Sequence, residues 1–466
     1  MQSMKTREII EAVSGTLVQG DPESVVRSVS TDTRALKEGQ FFVALKGKNF
    51  DGMNFVKPAL ETGAAGALVS STAGLDGLGG IIIQVPDTRQ ALLSLAKFYR
   101  RRFNAAKIIC LTGSNGKTTT KEMTAWILSG KYRVVKSIKS YNNDIGVPLT
   151  LFNLDPGVDF AVLEIGMNHP GEISRLAEVA MPEIGVVLNV GPAHLEGLGS
   201  IEAVAKEKAE LLNALPETGT AVVNADDPLV ARMVSGLRPG VRVVRFGMSA
   251  TDVSAKNMEN TPTGLRFRLR IESQEANIRL SLTGFHNLSN ALAASAAAWS
   301  AGLDLREIAD CLETFKLEAD GRFQKIKVGE TEFINDAYNA NPASVEASLR
   351  NMAELQSGRK IAVLGDMLEL GEYSKAGHQH IGLLVPELGI DFLVLVGRQA
   401  KEIGKQAIAS GFDSKKVAGF NEKDSAAVFL ADIIKPGDSV LLKGSRRLKL
   451  EEIIRKVSEM KNRRWR

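Results

Sequence analysis

Residues 108–118 read Ile-Ile-Cys-Leu-Thr-Gly-Ser-Asn-Gly-Lys-Thr, and this stretch limits the architectures open to the chain more than any other. An apolar run gives way to a Gly-rich turn ending in Gly-Lys-Thr, and a helical pattern begins at Thr119, Thr120 and Lys121. Strand, loop and helix in that order form an anion site, because loop N–H groups and the helix N-terminus converge on one point. Gly113, Ser114, Asn115, Gly116, Lys117, Thr118 and Thr119 are therefore the candidate phosphate contacts. Lys117 offers a point charge to β- and γ-phosphates, and the Thr118 hydroxyl is placed for Mg²⁺. The common form of this loop has a Gly five residues before Gly116; Leu111 stands there, so the match is partial.

The rest of the chain supplies the same rhythm. At 466 residues it exceeds what one hydrophobic core supports. Apolar runs recur between helical patterns at 159–165, 184–190, 220–224 and 243–246, as in a mostly parallel sheet covered by helices. Three α/β domains are expected. Residues 1–85 form a small N-terminal domain, 86–318 a linker helix (88–102) and the central domain, and 319–466 a doubly wound C-terminal domain with strands near 360–364, 391–396 and 438–442. Residues 251–283 alternate apolar and charged positions and read as an antiparallel ribbon with Arg outward and Leu or Ile inward.

Composition narrows the setting. The net charge of +4 is small, and four positive charges sit in the last six residues, which read as a solvated terminus rather than a nucleic-acid surface. The two cysteines, Cys110 and Cys311, lie in apolar contexts and read as buried hydrophobes in a reducing compartment. The first 30 residues carry charges throughout, and no apolar stretch reaches membrane-spanning length. A cytoplasmic monomer is expected.

Functional loops of parallel sheets lie at the C-terminal ends of strands. Glu164 stands near the end of one such strand, where a buried carboxylate demands a partner or a cation. His194 follows the strand at 184–190, and with Glu164 and Thr118 makes a hard-cation constellation in which the imidazole is the odd member. In the helix after it, Lys206 and Lys208 lie about 200° apart and each reads as a solvated lysine. Asn287 and Asn290 share one face at the start of an Ala-rich helix, facing a nucleotide or capping the helix. Ser30, Asp32 and Arg34 either hold a substrate or make a local turn with an Asp–Arg pair. Arg322 and the cluster 443–447 are candidate anion contacts, while His378 and His380 are too close in sequence to share a helix face.

Taken together, T-G-S-N-G-K-T-T (112–119), Y-N-N-D-I-G-V-P (141–148), E-I-G-M-N-H-P-G-E-I (164–173) and N-V-G-P-A-H-L-E (189–196) resemble the Mur ligases of bacterial peptidoglycan synthesis. G-F-H-N-L-S-N-A-L-A-A (284–294), N-D-A-Y-N-A-N-P-A-S (335–344), L-G-D-M-L-E-L-G (364–371) and L-L-K-G-S-R (441–446) are similar to the branch that joins D-alanyl-D-alanine to UDP-MurNAc-tripeptide. The resemblance implies an N-terminal UDP-binding domain, a central ATPase domain and a Rossmann-like C-terminal domain. It implies that Ser30, Asp32, Arg34 and Phe42 serve the uridine site, with Asn142 and Asn143 beside the sugar–diphosphate. Glu164 and His194 would hold one of two Mg²⁺ ions, and a lysine carbamylated by CO₂ would fall at Lys208, with Lys206 as the second register. Asn287 matches an adenine contact; Arg322, Asp336 and Tyr338 would touch ATP, and Ser445 and Arg446 the dipeptide carboxylate. The implied reaction is ATP-dependent, ADP-forming amide ligation through an acyl phosphate.

Overall fold

The computed structural model describes the chain except residues 48–49, 262, 318–320, 356–357 and 465–466, and except the side chains of 462–464. The expected boundary at 318/319 and most of the basic tail therefore lie outside the described residues. Three domains are built on three main sheets. The N-terminal sheet has the strand order Thr16–Gln19, Ile81–Gln84, Gly66–Val69, Phe41–Val43, Val29–Ser30. Its strands pair in parallel except for the edge strand Thr16–Gln19.

The central sheet has nine strands. The phosphate-loop strand, Lys107–Thr112, runs parallel between Phe160–Glu164 and Ile184–Val187. Register aligns their exits: Glu164 stands opposite Leu111, and Val187 opposite Thr112. Both faces of these strands are covered, which explains their unbroken apolar runs. Ile108 and Cys110 enter one core with Leu163, while Ile109 and Leu111 enter the other with Val162 and Val186. The expected strand 184–190 stops at Val187, because Asn189 leaves the ladder to hold the phosphate loop.

The ribbon is three-stranded, Val253–Thr261, Gly264–Ile271 and Gln274–Leu280, and it extends the central sheet rather than standing apart. Leu265, Phe267, Leu269 and Ile271 face inward while Arg266 and Arg268 face solvent. The Ala-rich helix Phe285–Ser300 lies buried against the phosphate-loop helix, as small residues allow. That loop helix spans Lys117–Ser129 and starts two residues before the sequence pattern suggests. Cys110 is buried, but Cys311 is only half-buried, since its helix Leu305–Thr314 lies at the surface. No described helix is long and apolar enough to cross a membrane.

The domains are joined in two different ways. The linker helix Thr88–Arg100, capped by the Asp87 carboxylate accepting from the N–H groups of Arg89 and Gln90, inserts Leu92, Leu95 and Tyr99 into an apolar core. That core runs without a break from Ile9 and Phe41 to Ile108 and Leu163, so the first two domains share it. The C-terminal sheet, ordered Gln324–Val328, Thr331–Asn335, Ser439–Lys443, Lys360–Gly365, Phe392–Val396, Val417–Phe420, has apolar clusters drawn only from residue 323 onward. It meets the central domain through polar groups: Asn341 Nδ2 donates to Asn115 Oδ1 at 2.8 Å, and Arg322 donates to the Thr118 hydroxyl at 3.2 Å.

Arg100 anchors the linker. It is 2 % exposed and donates to the carbonyls of Ala180 and Phe103 and to Glu183. Arg100→Ala leaves these acceptors without their donor, and removing one partner of a buried pair costs about 3 kcal/mol. A lower urea midpoint for the shared core is expected; an unchanged midpoint would contradict this reading of the linker.

Candidate functional site

The site grows from the loop outward. Gly116 adopts φ +81°, a left-handed conformation that lets the chain turn directly into the helix at Lys117. No side chain caps that helix, so its first N–H groups are left for a ligand. The loop is stiffened from the neighbouring strand exit: Asn115 N–H donates to Asn189 Oδ1 at 2.8 Å, and the Ser114 hydroxyl accepts from Gly191 N–H at 2.8 Å. Lys117 Nζ donates to the Gly113 carbonyl at 2.6 Å. Burial pulls its ammonium below the usual lysine range; Glu164 opposes that shift and Arg322 adds to it.

Glu164 is 1 % exposed. Both of its oxygens accept from neutral donors, Oε2 from the Thr118 hydroxyl and Oε1 from Asn142 Nδ2, each at 2.8 Å. The Thr118 hydroxyl also lies 3.0 Å from Ser140 Oγ. A buried carboxylate whose oxygens meet only neutral donors is suited to a cation. His194, at φ +58° just before the short helix Leu195–Leu198, lines the same cavity. Its Nδ1 is 2.8 Å from Glu369 Oε2, and this contact holds the Glu369 carboxyl below its usual range.

Lys208 corrects the sequence reading. Lys206 is exposed, but Lys208, on the opposite face of the helix Ile201–Asn213, is 1 % exposed. The rotation of this helix against the sheet, which sequence spacing does not carry, decides which lysine goes inside. Burial drives the Lys208 amine well below the usual lysine range, Lys117 pushes it further, and Glu207 offsets part. The Glu207 carboxylate is occupied by the N–H groups of Gly171 and Ile173, at 2.9 and 2.8 Å. Among the described residues no three His, Cys, Asp or Glu side chains stand together as a metal site.

Cavities lie around the loop and on its N-terminal side. The largest, 920 Å³, lies between central and C-terminal domains and is lined by the loop, Glu164, His194, Arg322, Tyr338, Ser445 and Arg446. Ser445 is buried, with its hydroxyl accepting from Leu368 N–H at 2.8 Å. Arg322 stacks over Tyr338 at 4.3 Å, and Arg446 bonds Glu451 at 2.6 Å. A second cavity, 570 Å³, holds Gly116, Thr119, Asn287 and Asp336. Asp336 is engaged by Lys443 at 2.6 Å, and Asn287 accepts from Asn290 Nδ2 at 3.1 Å.

A third cavity, 760 Å³, joins Ser30, Asp32, Arg34 and Phe42 of the N-terminal domain to Tyr141 and Asn143. Here Asp32 and Arg34 make the local pair, with bonds at 2.9 and 2.7 Å, and both also line the cavity. A smaller fourth cavity, 190 Å³, contains Lys117, Asn142, Asn143 and His194 together with Arg89, Asn168 and Arg175. The last three, with Ser140, Asn341 and Glu369, escape sequence reasoning. Arg89 alone carried a signal: a cation in the first turn of a helix opposes the helix dipole and needs another reason to be there. The paired histidines divide as spacing suggested, His378 buried in the core and His380 bonded to Glu346 at 3.0 Å.

A Cβ at position 116 would meet Asn290 Oδ1 at 2.2 Å, and the left-handed backbone adds a penalty of about 1–2 kcal/mol. Gly116→Ala is therefore expected to weaken ADP binding roughly tenfold or more. Adding Asn290→Ala should restore part of the loss, since only the clash is relieved. Calorimetric titration with ADP tests both; unchanged affinity in the single variant contradicts the loop assignment.

Comparison with known proteins bears on the whole chain. Three family models match: the Mur ligase family catalytic domain at residues 25–100, the Mur ligase middle domain at 111–298, and the Mur ligase glutamate ligase domain at 321–446. The UDP-N-acetylmuramoyl-tripeptide–D-alanyl-D-alanine ligase of Escherichia coli K12 is 38 % identical, covering 98 % of this chain and 99 % of its own. That of Bacillus subtilis 168 is 35 % identical over 97 % and 98 %. MurF from Acinetobacter baumannii superposes with a TM-score of 0.90 at 32 % identity, covering 98 % of this chain and 99 % of its own. A MurF ligase from Thermotoga maritima in complex with ADP gives 0.81 at 29 % identity, over 94 % and 99 %. With identity above 30 % across nearly its full length, the chain belongs to the Mur ligase family.

Proposed function

We propose that this chain is an ATP-dependent ligase that joins D-alanyl-D-alanine to the terminal carboxylate of UDP-N-acetylmuramoyl-tripeptide in peptidoglycan precursor synthesis, forming ADP and phosphate. The observation that carries the reading is the near full-length likeness to ligases of that name. The convergence of cavities on one phosphate loop supports it. A cytoplasmic monomer fits, since one chain supplies every group invoked.

In this reading the uridine end lies with Ser30, Asp32, Arg34 and Phe42, and Asn142 and Asn143 meet the sugar–diphosphate with Arg89 and Arg175 nearby. Asn287 faces the adenine, Arg322, Asp336 and Tyr338 complete the ATP site, and Ser445 and Arg446 receive the dipeptide carboxylate. The tripeptide carboxylate attacks the γ-phosphorus of ATP in line; the bond to the bridging oxygen breaks and ADP leaves. Lys117 and the helix N–H groups, preorganised in a water-poor cleft, offset the charge that builds on the phosphoryl oxygens. The neutral amine of the dipeptide then attacks the acyl carbon, loses a proton, and phosphate departs. The C-terminal domain keeps water from the acyl phosphate, which would otherwise hydrolyse.

Thr118, Glu164 and His194 would hold Mg²⁺, which when bound supplies positive charge at the transferring phosphoryl group. The buried Glu164 carboxylate with only neutral donors fits that role. Lys208 completes the set as a carbamate. Burial pushes this amine toward the neutral form that adds to CO₂; the N–C bond forms as one N–H proton is released to solvent, and the carbamate is an anion that would balance Lys117.

Purified protein with ATP, Mg²⁺, UDP-MurNAc-tripeptide and D-Ala-D-Ala should yield pentapeptide and phosphate in equal amounts. Turnover with a free diamino acid and none with the dipeptide would overturn the assignment. Lys208→Ala is expected to lower kcat by at least about 10²-fold, and depletion of bicarbonate should slow the wild type but not the variant. Full rate in Lys208→Ala would end the carbamate reading.

A further inference from the structure

We infer that Glu369, in the C-terminal domain, is a positioning residue for His194 of the central domain, and that this bond ties closure of the C-terminal domain to the set of the cation site. The inference rests on the reading of His194 as a cation-holding residue.

The contact has two points. Glu369 Oε2 meets His194 Nδ1 at 2.8 Å, and the Glu369 carbonyl accepts from Glu196 N–H at 3.1 Å, two residues along from the histidine. Both residues are non-glycine positions in left-handed backbone, φ +66° for Glu369 and +58° for His194. Such conformations persist only where the surroundings fix them. For Glu369 those surroundings are visible. Met367 N–H donates to Nε2 of the fully buried His378 at 3.0 Å, and His378 Nδ1 in turn is bonded to the Ser374 carbonyl at 2.7 Å. Leu368 N–H donates to Ser445 Oγ at 2.8 Å. Two consecutive backbone amides before Glu369 are thus pinned to the body of their own domain, which aims its side chain across the gap.

Nothing in the core requires a carboxylate here, since the Glu369 side chain is 54 % exposed. Its effect falls on the imidazole. A ring that donates Nδ1–H to a carboxylate is held in one tautomer, with Nε2 unprotonated and more basic, and its rotation is arrested. When the C-terminal domain swings away, Glu369 leaves with it and the ring loses both restraints. The central domain alone therefore holds Glu164 and Thr118 in place but not the tautomer of His194. A site that is finished only on closure delays phosphoryl transfer until water has been excluded.

The test uses full-length protein with ¹⁵N-labelled histidine and ADP, without metal, and reads the His194 tautomer from long-range ¹H–¹⁵N correlations, assigned by loss of the signal in His194→Gln. The wild type should show Nδ1–H with Nε2 unprotonated; Glu369→Ala should show mixed tautomers, and Glu369→Gln, whose amide oxygen still accepts, should restore the wild-type pattern. In parallel, Mn²⁺ binding in the presence of ADP is followed by electron paramagnetic resonance. Glu369→Ala is expected to bind Mn²⁺ roughly tenfold more weakly, with Glu369→Gln between the two. An unchanged tautomer and unchanged affinity in Glu369→Ala overturn the inference. Unchanged Mn²⁺ affinity in His194→Gln overturns instead the reading of His194 on which it stands.

Discussion

The structure turns on a carboxylate that is buried at a strand end and held by neutral donors. Glu164 ends a strand buried on both faces, and its oxygens accept from a hydroxyl and an amide. Those two donors come from different places, Thr118 from the phosphate-loop helix and Asn142 from the segment that leads to the N-terminal cavity. One buried group thus fixes the loop, the strand exit and the Asn142 segment relative to each other. Hydrogen bonds to neutral donors recover only part of the hydration a buried carboxylate loses, and Lys117 lies close enough to feel it.

The same electrostatics runs in the opposite sense a short way off. Burial lowers both Lys117 and Lys208 from the usual lysine range, and the charge of Lys117 pushes Lys208 further down. The carbamate proposed at Lys208 would remove that conflict and add oxygen to a donor set that includes an imidazole. The carboxylate beside Lys208, Glu207, is already spent on two backbone N–H groups.

Domain organisation follows the needs of the chemistry. The N-terminal and central domains share an apolar core, which makes their relative position a property of folding. The C-terminal domain keeps its apolar surface to itself and reaches across with polar side chains, Asn341, Arg322 and Glu369, that trade bonds with water at small net cost. A reaction that must admit three substrates and then exclude water is served by one joint built on a shared apolar core and one built on polar contacts.

Much of this was legible in the chain because it is local. The apolar run before Gly113, the ribbon with its outward arginines, and Glu164 at a strand end follow from periodicity and from the cost of buried charge. What escaped depends on how elements dock. Lys206 and Lys208 are equivalent in a helical pattern, and only packing sends one inward. Glu369, Asn341 and Arg175 owe their places to contacts with residues far away in sequence, and no spacing rule reaches that far. Asp32 and Arg34 show the middle case, since the local pair is real and lines a cavity as well.

The central claim is that the γ-phosphoryl group passes to the peptide carboxylate before the amide bond forms. It is tested by supplying UDP-MurNAc-tripeptide with both oxygens of its terminal carboxylate replaced by ¹⁸O, and reading the released phosphate by mass spectrometry. One ¹⁸O atom in each phosphate is the expected result, since that oxygen bridges carbon and phosphorus before the amine displaces it. Phosphate free of ¹⁸O alongside amide product would contradict the account.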